Sequence, residues 1–484
     1  MLINVGRRGR SQTDFYERFV YGVEFDTAVA NSACVRIGAS ILHQTLPIHS
    51  KIKRCLLSDA GVATYLDASD TTKLASGAAA DLTGSAGMVM VETPAHWRKF
   101  ETQGTKVRCL ISEIEQPGFH YVPRYYRSAY EATVERATNK LSSVVNATAA
   151  YRGGDNNATW DALSKSLLGR PASVLSLTNF RAYARNRGSN KWNCDVYDVQ
   201  KTWYWLYVVE YANFNSQLAY SALPSSAGYK QGGLGDGVTN LASTNWSNFN
   251  GYMPFIACGY TNSLGNRSGY MPYTMPFEYD ANGSANYKGE YNPATAYLVG
   301  NFVSSGNLLY RCILDSTGNI LTNTTYFTPV TRTITNVPSY RGLENPFGHI
   351  WSWIDGCKCK IQSDDAGGVS SFFVCSDPAN FQDTNYNNYT QRGVLPRTSN
   401  YIKQLIVGEY GENMPSAVGG SSVTYMSDYF YTSVPATSEE QRGVLFGGTA
   451  SSGAAAGLSF STANSATTYA SAYIGSRLCF LPGA

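Results

Sequence analysis

Carboxylates stand in pairs at three places in this sequence: Asp364 with Asp365 in QSDDAGG, Glu409 with Glu412 in GEYGEN, and Glu439 with Glu440. Two carboxylates are the least that glycoside hydrolysis requires, one as acid and one as base or nucleophile. Adjacent acids in a loop more often make a solvated face or a cation site, and that reading is preferred here. The five histidines, His43, His49, His96, His120 and His349, include no two at metal-ligand spacing on one helix. Cys357 and Cys359 alternate with lysines in CKCKI, so in a strand both thiols face one way, a pattern read as packing rather than metal or redox chemistry. Tyr425, Tyr429 and Tyr431 alternate along VTYMSDYFYTS. In a strand their rings share one face, which is either a stacking platform for a sugar or a surface packed on the inserted module near residues 285–330 or on a neighbouring subunit. Asp428, between them, is open to three readings: turn residue, calcium ligand or binding residue.

Elements must position these groups, and composition limits which. Only 15% of residues are charged, against 43% hydrophobic and 13% aromatic, so Ser, Thr, Asn, Gly and Tyr must supply the polar surface of an ordered chain. The 35 tyrosines beside 45 glycines fit an adaptable binding surface and a Tyr-tolerant β fold equally well. The formal charge of +3 includes no basic block longer than the opening VGRRGR, so nucleic acid is not the expected partner. No run approaches the roughly 18 apolar residues of a membrane span. The start, MLINVGRRGR, lacks the apolar core of a signal peptide, and no secretory export is expected. The ten cysteines are scattered, which predicts free buried thiols rather than a disulfide framework. Sequons at Asn146, Asn157, Asn245, Asn266, Asn282, Asn323 and Asn388 reflect an Asn- and Thr-rich chain and are not expected to be modified.

The chain length predicts two to four units of roughly 100–200 residues each. The first hundred residues read as short strands, CVRIGASI, KRCLLSD, GVATYLDA and GMVMVETP, with a Ser/Ala/Gly-rich loop before the last. KVRCLISEI alternates Val107, Cys109 and Ile111 with mostly polar neighbours, as a strand would, and is taken to open the next region. Three helices are predicted. SAYEATVERATNKLSSVV offers Ser128 as N-cap with Glu131 at capping-box spacing; TNFRAYARNRG starts at a Thr178 cap and stops at Gly188; YDVQKTWYWLYVVEY carries Val199, Trp203, Leu206 and Val209 as an apolar stripe. Beyond Asn213 helical periodicity almost vanishes, and many ordered loops on a compact scaffold are expected. YNPATAYLVGNFVSSGNLLYRCILDSTGNILTNTTYFTPV reads as a three-stranded unit turning at Ser305, Gly306 and Asn307, inserted into its surroundings.

RGLENPFGHIWSWIDG at residues 341–356, with the closing GGTASSGAAAGLSFSTANSATTYASAYIGSRLCFLP, resembles the C-type-lectin-like domains of phage tropism determinants and of proteins targeted by diversity-generating retroelements. Gly475, Arg477 and Leu478 match the glycine-rich, G-x-R-L ending of that fold, which is shared with formylglycine-generating enzymes. RAYARNRG and WLYVVEYANFNSQ are similar to the helices that precede its variable face. The resemblance covers residues 106–484 apart from the insertion, which is itself similar to small chitin- or cellulose-binding modules, with Tyr291 and the Tyr326–Phe327 pair where tryptophans are usual. LHQTLPIHSKIKRCLLSD and GMVMVETP are similar to the amino-terminal part of phage structural proteins that carry the domain.

The resemblance implies an α+β fold with a C-type-lectin-like domain of few helices and many ordered loops, over residues 106–284 and 331–484. A β-rich virion-attachment and oligomerisation domain over 1–105 precedes it, and a small all-β insertion over 285–330 interrupts it. It implies a virion fibre or receptor-binding protein of a tailed phage. The expected partners are a host-surface glycan or protein, capsid or tail proteins, and further copies of the chain, as a trimer or next a dimer. No catalysis, cofactor or metal is expected. A virion decoration protein without a host ligand and a glycan depolymerase are the alternatives. The candidate ligand-binding residues are Tyr429, Tyr431, Phe446, Thr449, Ser451, Ser461, Asn464 and Tyr469, several of them on a glycine-punctuated stretch. Glu344, Asn345, Trp351, Asp355 and Arg477 are expected to brace the fold. Proteolysis is expected near residues 69–85 and at the edges of the insertion.

Overall fold

The computed structural model describes residues 18–161, 166–235, 255–283 and 285–484; the VGRRGR stretch and the Asn245 sequon lie outside them. With 38% strand and 12% helix, the protein is a β-rich α+β fold with few helices. The first third forms β1 (Val20–Asp26), β2 (Val35–Gly38), α1 (Ser40–Thr45), β3 (Lys53–Leu57), β4 (Ala63–Tyr65), β5 (Met88–Thr93), β6 (His96–Gln103), β7 (Lys106–Ser112), β8 (His120–Val122) and β9 (Tyr125–Ser128). β2-β1-β7-β6-β8 make one sheet, while β9-β5-β3-β4 belong to another. In β7 the predicted alternation holds at its start: Val107 and Cys109 are buried while Lys106 and Arg108 are exposed. Its partners are β1 and β6, both upstream. The expected domain boundary at residue 105 therefore falls in the turn of the β6–β7 hairpin, whose hydrogen bonds cross it.

The next segment departs from expectation. Residues 128–145 form no helix but a hairpin of β10 (Thr133–Glu135) and β11 (Lys140–Ser142), turning where Asn139 takes φ 52°. Tertiary contacts override the helical signal: Ser128 Oγ donates to the Tyr130 carbonyl instead of capping, and the Glu131 carboxylate pairs with the His349 imidazole. The other two helices form as read, α2 (Leu177–Arg185) and α3 (Tyr197–Tyr211), separated by β12 (Trp192–Cys194). α2 is capped two residues earlier than predicted, by Ser176 Oγ accepting from Asn179 N at 3.2 Å. α3 is buried on every side rather than along a stripe. It packs between the first sheet, where Phe25 and Phe100 meet Trp205, and the largest sheet, where Phe372 and Phe446 meet Tyr197. Its charges are neutralised locally: Lys201 pairs with Glu412 at 3.2 Å and Glu210 with Arg341 at 2.6 Å.

β13 (Gly269–Thr274) leads through α4 (Phe277–Asp280) into a four-stranded sheet, β14 (Tyr287–Glu290), β15 (Phe302–Ser305), β16 (Leu308–Cys312) and β17 (Phe327–Val330), one strand more than predicted. Its own core is Tyr297, Val303, Cys312 and Phe327. The chain leaves through β18 (Ile334–Tyr340), which pairs antiparallel with β13 and then with β19 (Leu343–Glu344), so entry and exit of the module are held side by side. Phe327 is fully buried, and the Tyr291 hydroxyl donates to the Asn319 carbonyl at 2.5 Å. Phe327 is thus unavailable for stacking on a sugar.

The largest sheet collects β20 (Trp351–Gln362), β21 (Ser370–Val374), β22 (Thr390–Val394), β23 (Asn400–Val407), β24 (Glu412–Val418), β25 (Tyr429–Tyr431), β26 (Glu439–Gly447), β27 (Gly457–Thr462) and β28 (Ile474–Gly475). Cys357 and Cys359 lie in β20, buried as free thiols. The last strand, β29 (Leu478–Phe480), returns to the amino-terminal half, inserting between β12 and β9 to complete the order β12-β29-β9-β5-β3-β4. One continuous hydrophobic core consequently runs from Tyr21 to Phe480, and the amino-terminal strands share it, with a smaller cluster of Val20, Leu110 and Phe119 beside it.

Candidate functional site

β25 is three residues long and lies between β23, its antiparallel partner, and β27, with which it runs parallel. Phe430 points inward and is fully buried, so alternation turns Tyr429 and Tyr431 outward. Their ring centroids are 4.7 Å apart, and Tyr401 on β23 meets Tyr429 edge-on at 5.0 Å. Beneath them Phe460 of β27 contacts Tyr431 at 5.6 Å and Trp351 at 4.5 Å. Tyr425 departs from the predicted strand: it precedes β25 with φ 51° and lies under the Lys403 ammonium.

Asp428 sets the start of β25. It is buried and accepts from Ser459 N at 2.6 Å, and burial pushes its carboxyl up to about 8. The space it fills exists because residue 457 is glycine: a Cβ there would lie 1.9 Å from Asp428 Oδ1. This resolves the three readings in favour of a structural role. Among the described residues no three His, Cys, Asp or Glu side chains group as a metal site.

Opposite β25, residues 464–473 form a loop fastened by main-chain hydrogen bonds from Gly443 N to Ser465 O, Leu177 N to Thr467 O, Val174 N to Ser471 O, and Trp351 N to Tyr473 O. Between loop and strand lies an open groove of about 920 Å³ lined by Trp351, Tyr431, Arg442, Asn464, Tyr469 and Tyr473, among others. Tyr431 and Tyr469 are 40% and 43% exposed, which places their rings on its walls rather than in the core. The Tyr469 and Tyr473 hydroxyls are 3.2 Å apart. Asn464 Oδ1 is buried without a hydrogen-bond partner, and the Arg442 guanidinium is held by Glu440. Burial raises the Tyr431 and Tyr473 hydroxyls above their ordinary range, so both remain protonated donors at neutral pH.

Of the eight residues singled out by sequence, Tyr431, Asn464 and Tyr469 line this groove and Tyr429 adjoins it. Phe446 and Ser461 do not: both are buried, at 2% and 0% exposure, Phe446 facing Tyr197. Thr449 and Ser451 bond to each other, Oγ1 to Oγ at 2.9 Å, in a turn beside His349 and away from the groove. A glycine-punctuated stretch shows that backbone is tight, not which side chains leave the sheet. Sequence reasoning passed over Tyr401, Arg442 and Tyr473 as individual residues; Trp351, read as a brace, is both brace and groove wall.

The other bracing residues lie apart from the groove. Glu344 accepts from Gly259 N and from Thr261 N and Oγ1, Asp355 takes both ends of the Arg181 guanidinium, and Arg477 donates to the Glu344 and Asn345 carbonyls. Five of the six paired carboxylates are engaged by cations or histidine: Asp364 with Arg397, Glu412 with Lys201, Glu409 with His120, Glu439 with Lys360 and Glu440 with Arg442. No protein-family model and no curated protein matches this chain.

Proposed function

We propose that the protein is a virion fibre or receptor-binding protein of a tailed phage that ends in a C-type-lectin-like domain over residues 106–284 and 331–484, and that the groove between β25 and the 464–473 loop takes a host-surface glycan. The observation that carries the reading is the groove itself, whose walls carry three exposed or half-buried tyrosines, Tyr431, Tyr469 and Tyr473, together with Asn464. Aromatic faces pack on the apolar face of a sugar ring, while the tyrosine hydroxyls donate to and accept from sugar hydroxyls that an apolar ligand lacks. The four main-chain anchors hold the loop before a ligand arrives, which lowers the ordering cost of binding. Individual sites of this kind bind weakly, and a homo-oligomer, a trimer before a dimer, supplies avidity. Capsid or tail proteins are the partners of the amino-terminal strands.

A glycan array probed with the intact protein tests the reading. Binding to a defined set of glycans, lost in both Tyr431→Ala and Tyr469→Ala with melting temperature unchanged, is the expected result. Binding that survives both substitutions would remove the groove from the function, and no binding to any glycan or host cell would favour a decoration protein. Light scattering that finds a monomer at micromolar concentration would remove the oligomer.

A further inference from the structure

A second cleft, of about 740 Å³, opens on another part of the molecule, where β6, the start of α3, β22 and the turn between β23 and β24 meet. Three arginines line it. Arg98 on β6 is only 8% exposed, and its guanidinium donates to Thr202 Oγ1 at 3.3 Å and Tyr410 O at 3.5 Å; among the described residues no carboxylate is within ion-pairing distance. An arginine does not escape burial by losing its proton, so a guanidinium placed there needs a counter-charge. Arg392 on β22 stacks over the Tyr410 ring at 4.2 Å, its Nε has no hydrogen-bond partner, and Glu412 approaches no closer than 3.8 Å. Arg124 stands exposed at the mouth, its described contact being the Tyr126 ring at 5.8 Å.

The acids at the cleft form no ion pair with Arg98 or Arg124, although Lys201 and, more weakly, Arg98 outweigh burial and hold the Asp198 carboxyl below its ordinary range. Asp198 is taken by Lys201 at 3.0 Å, Glu409 by His120 at 3.1 Å, and Asp377 accepts from Ala379 N and Asn380 Nδ2. The rings of Phe100 and Tyr410 supply an apolar wall.

We propose that this cleft binds a small phosphate ester, its phosphate held by Arg98 and Arg392 with Arg124 at the entrance, and its ring-bearing body lying against Tyr410. A phosphate monoester carries nearly two charges and three acceptor oxygens, which matches three guanidiniums better than one carboxylate does. The proposal is independent of the glycan groove.

Calorimetric titration of the full chain with phenyl phosphate, inorganic phosphate and benzoate tests it. Phenyl phosphate binds saturably and tighter than benzoate, Arg98→Gln weakens it about tenfold or more, and Tyr431→Ala leaves it unchanged. Should Arg98→Gln fail to fold, Arg124→Gln, at an exposed position, decides the matter through a smaller loss in the same direction. Absence of saturable heat, benzoate binding as tightly as phenyl phosphate, or unchanged affinity in the arginine variants overturns the proposal.

Discussion

Arg477 Nη2 donates to the main-chain carbonyl of Asn345 at 2.6 Å, and to that of Glu344 at 2.5 Å, across more than 130 residues of sequence. This contact ties the closing IGSRLCF segment to RGLENPFG and thereby holds β29 in place between β12 and β9. Burial, and the Arg127 guanidinium nearby, lower the Arg477 pKa to about 10, so the side chain is still charged at neutral pH.

Arg477→Gln is expected to cost about 3 kcal/mol or more, because charge-assisted bonds are lost and two buried carbonyls lose their donor. Urea unfolding of the two proteins measures it. A midpoint within experimental scatter of the parent would show that the two motifs do not depend on this bridge.

Tyr431→Ala and Phe446→Ala should separate cleanly. The first removes an exposed ring from the groove and is expected to abolish ligand binding while changing stability by less than about 1 kcal/mol. The second empties a core position against Tyr197 and is expected to cost about 3–5 kcal/mol. Thermal melts of both, run beside a binding assay, check the pair; equal destabilisation would mean that Tyr431 is part of the core.

Asp428 should make stability depend on pH. Its folded pKa, about 8, lies above the unfolded value of 3.8, so between these values the folded state holds a proton that the unfolded state has lost. Stability from this group is therefore greatest in acid and declines as pH rises from about 4 to about 8. Asp428→Asn removes the titration, so the variant's stability relative to the parent should improve by on the order of 2–4 kcal/mol between pH 5 and pH 8. Denaturant titrations at the two pH values give the comparison, and a difference independent of pH would refute it.

The loop at residues 69–85, expected to be open to proteases, is stapled by its own side chains. Asp67 accepts from Ser69 N and Asp70 N, Asp70 from Thr72 N, and Asp81 from Thr83 N, while buried Thr71 accepts from Arg54. It should resist subtilisin, and Asp67→Ala with Asp70→Ala should open it. Peptide mapping after brief digestion reads both; early cleavage of the parent in this loop would show that the turns do not protect it.

Local signals were legible where the chain decides locally. α2 and α3, the Val107–Cys109 alternation and the Ser305–Asn307 turn follow from capping, side-chain periodicity and turn chemistry, which act within a few residues. The bracing roles of Glu344, Asp355 and Arg477 were readable because charged residues inside an apolar segment must find partners there. Residues 128–145 were misread because their capping-box spacing competes with burial: Glu131 is claimed by His349, more than 200 residues away, a contact that periodicity does not report. The groove divided the same way. Alternation placed Tyr429 and Tyr431 on one face, but their neighbour Tyr401, the Trp351 wall and the inward turn of Phe446 and Ser461 were decided by strand order β26-β27-β25-β23, in which parallel and antiparallel partners come from distant parts of the chain. Sequence thus determined which residues tend to share a face, and tertiary structure alone decided which face meets solvent, because burial depends on what packs above a strand and not on the strand itself.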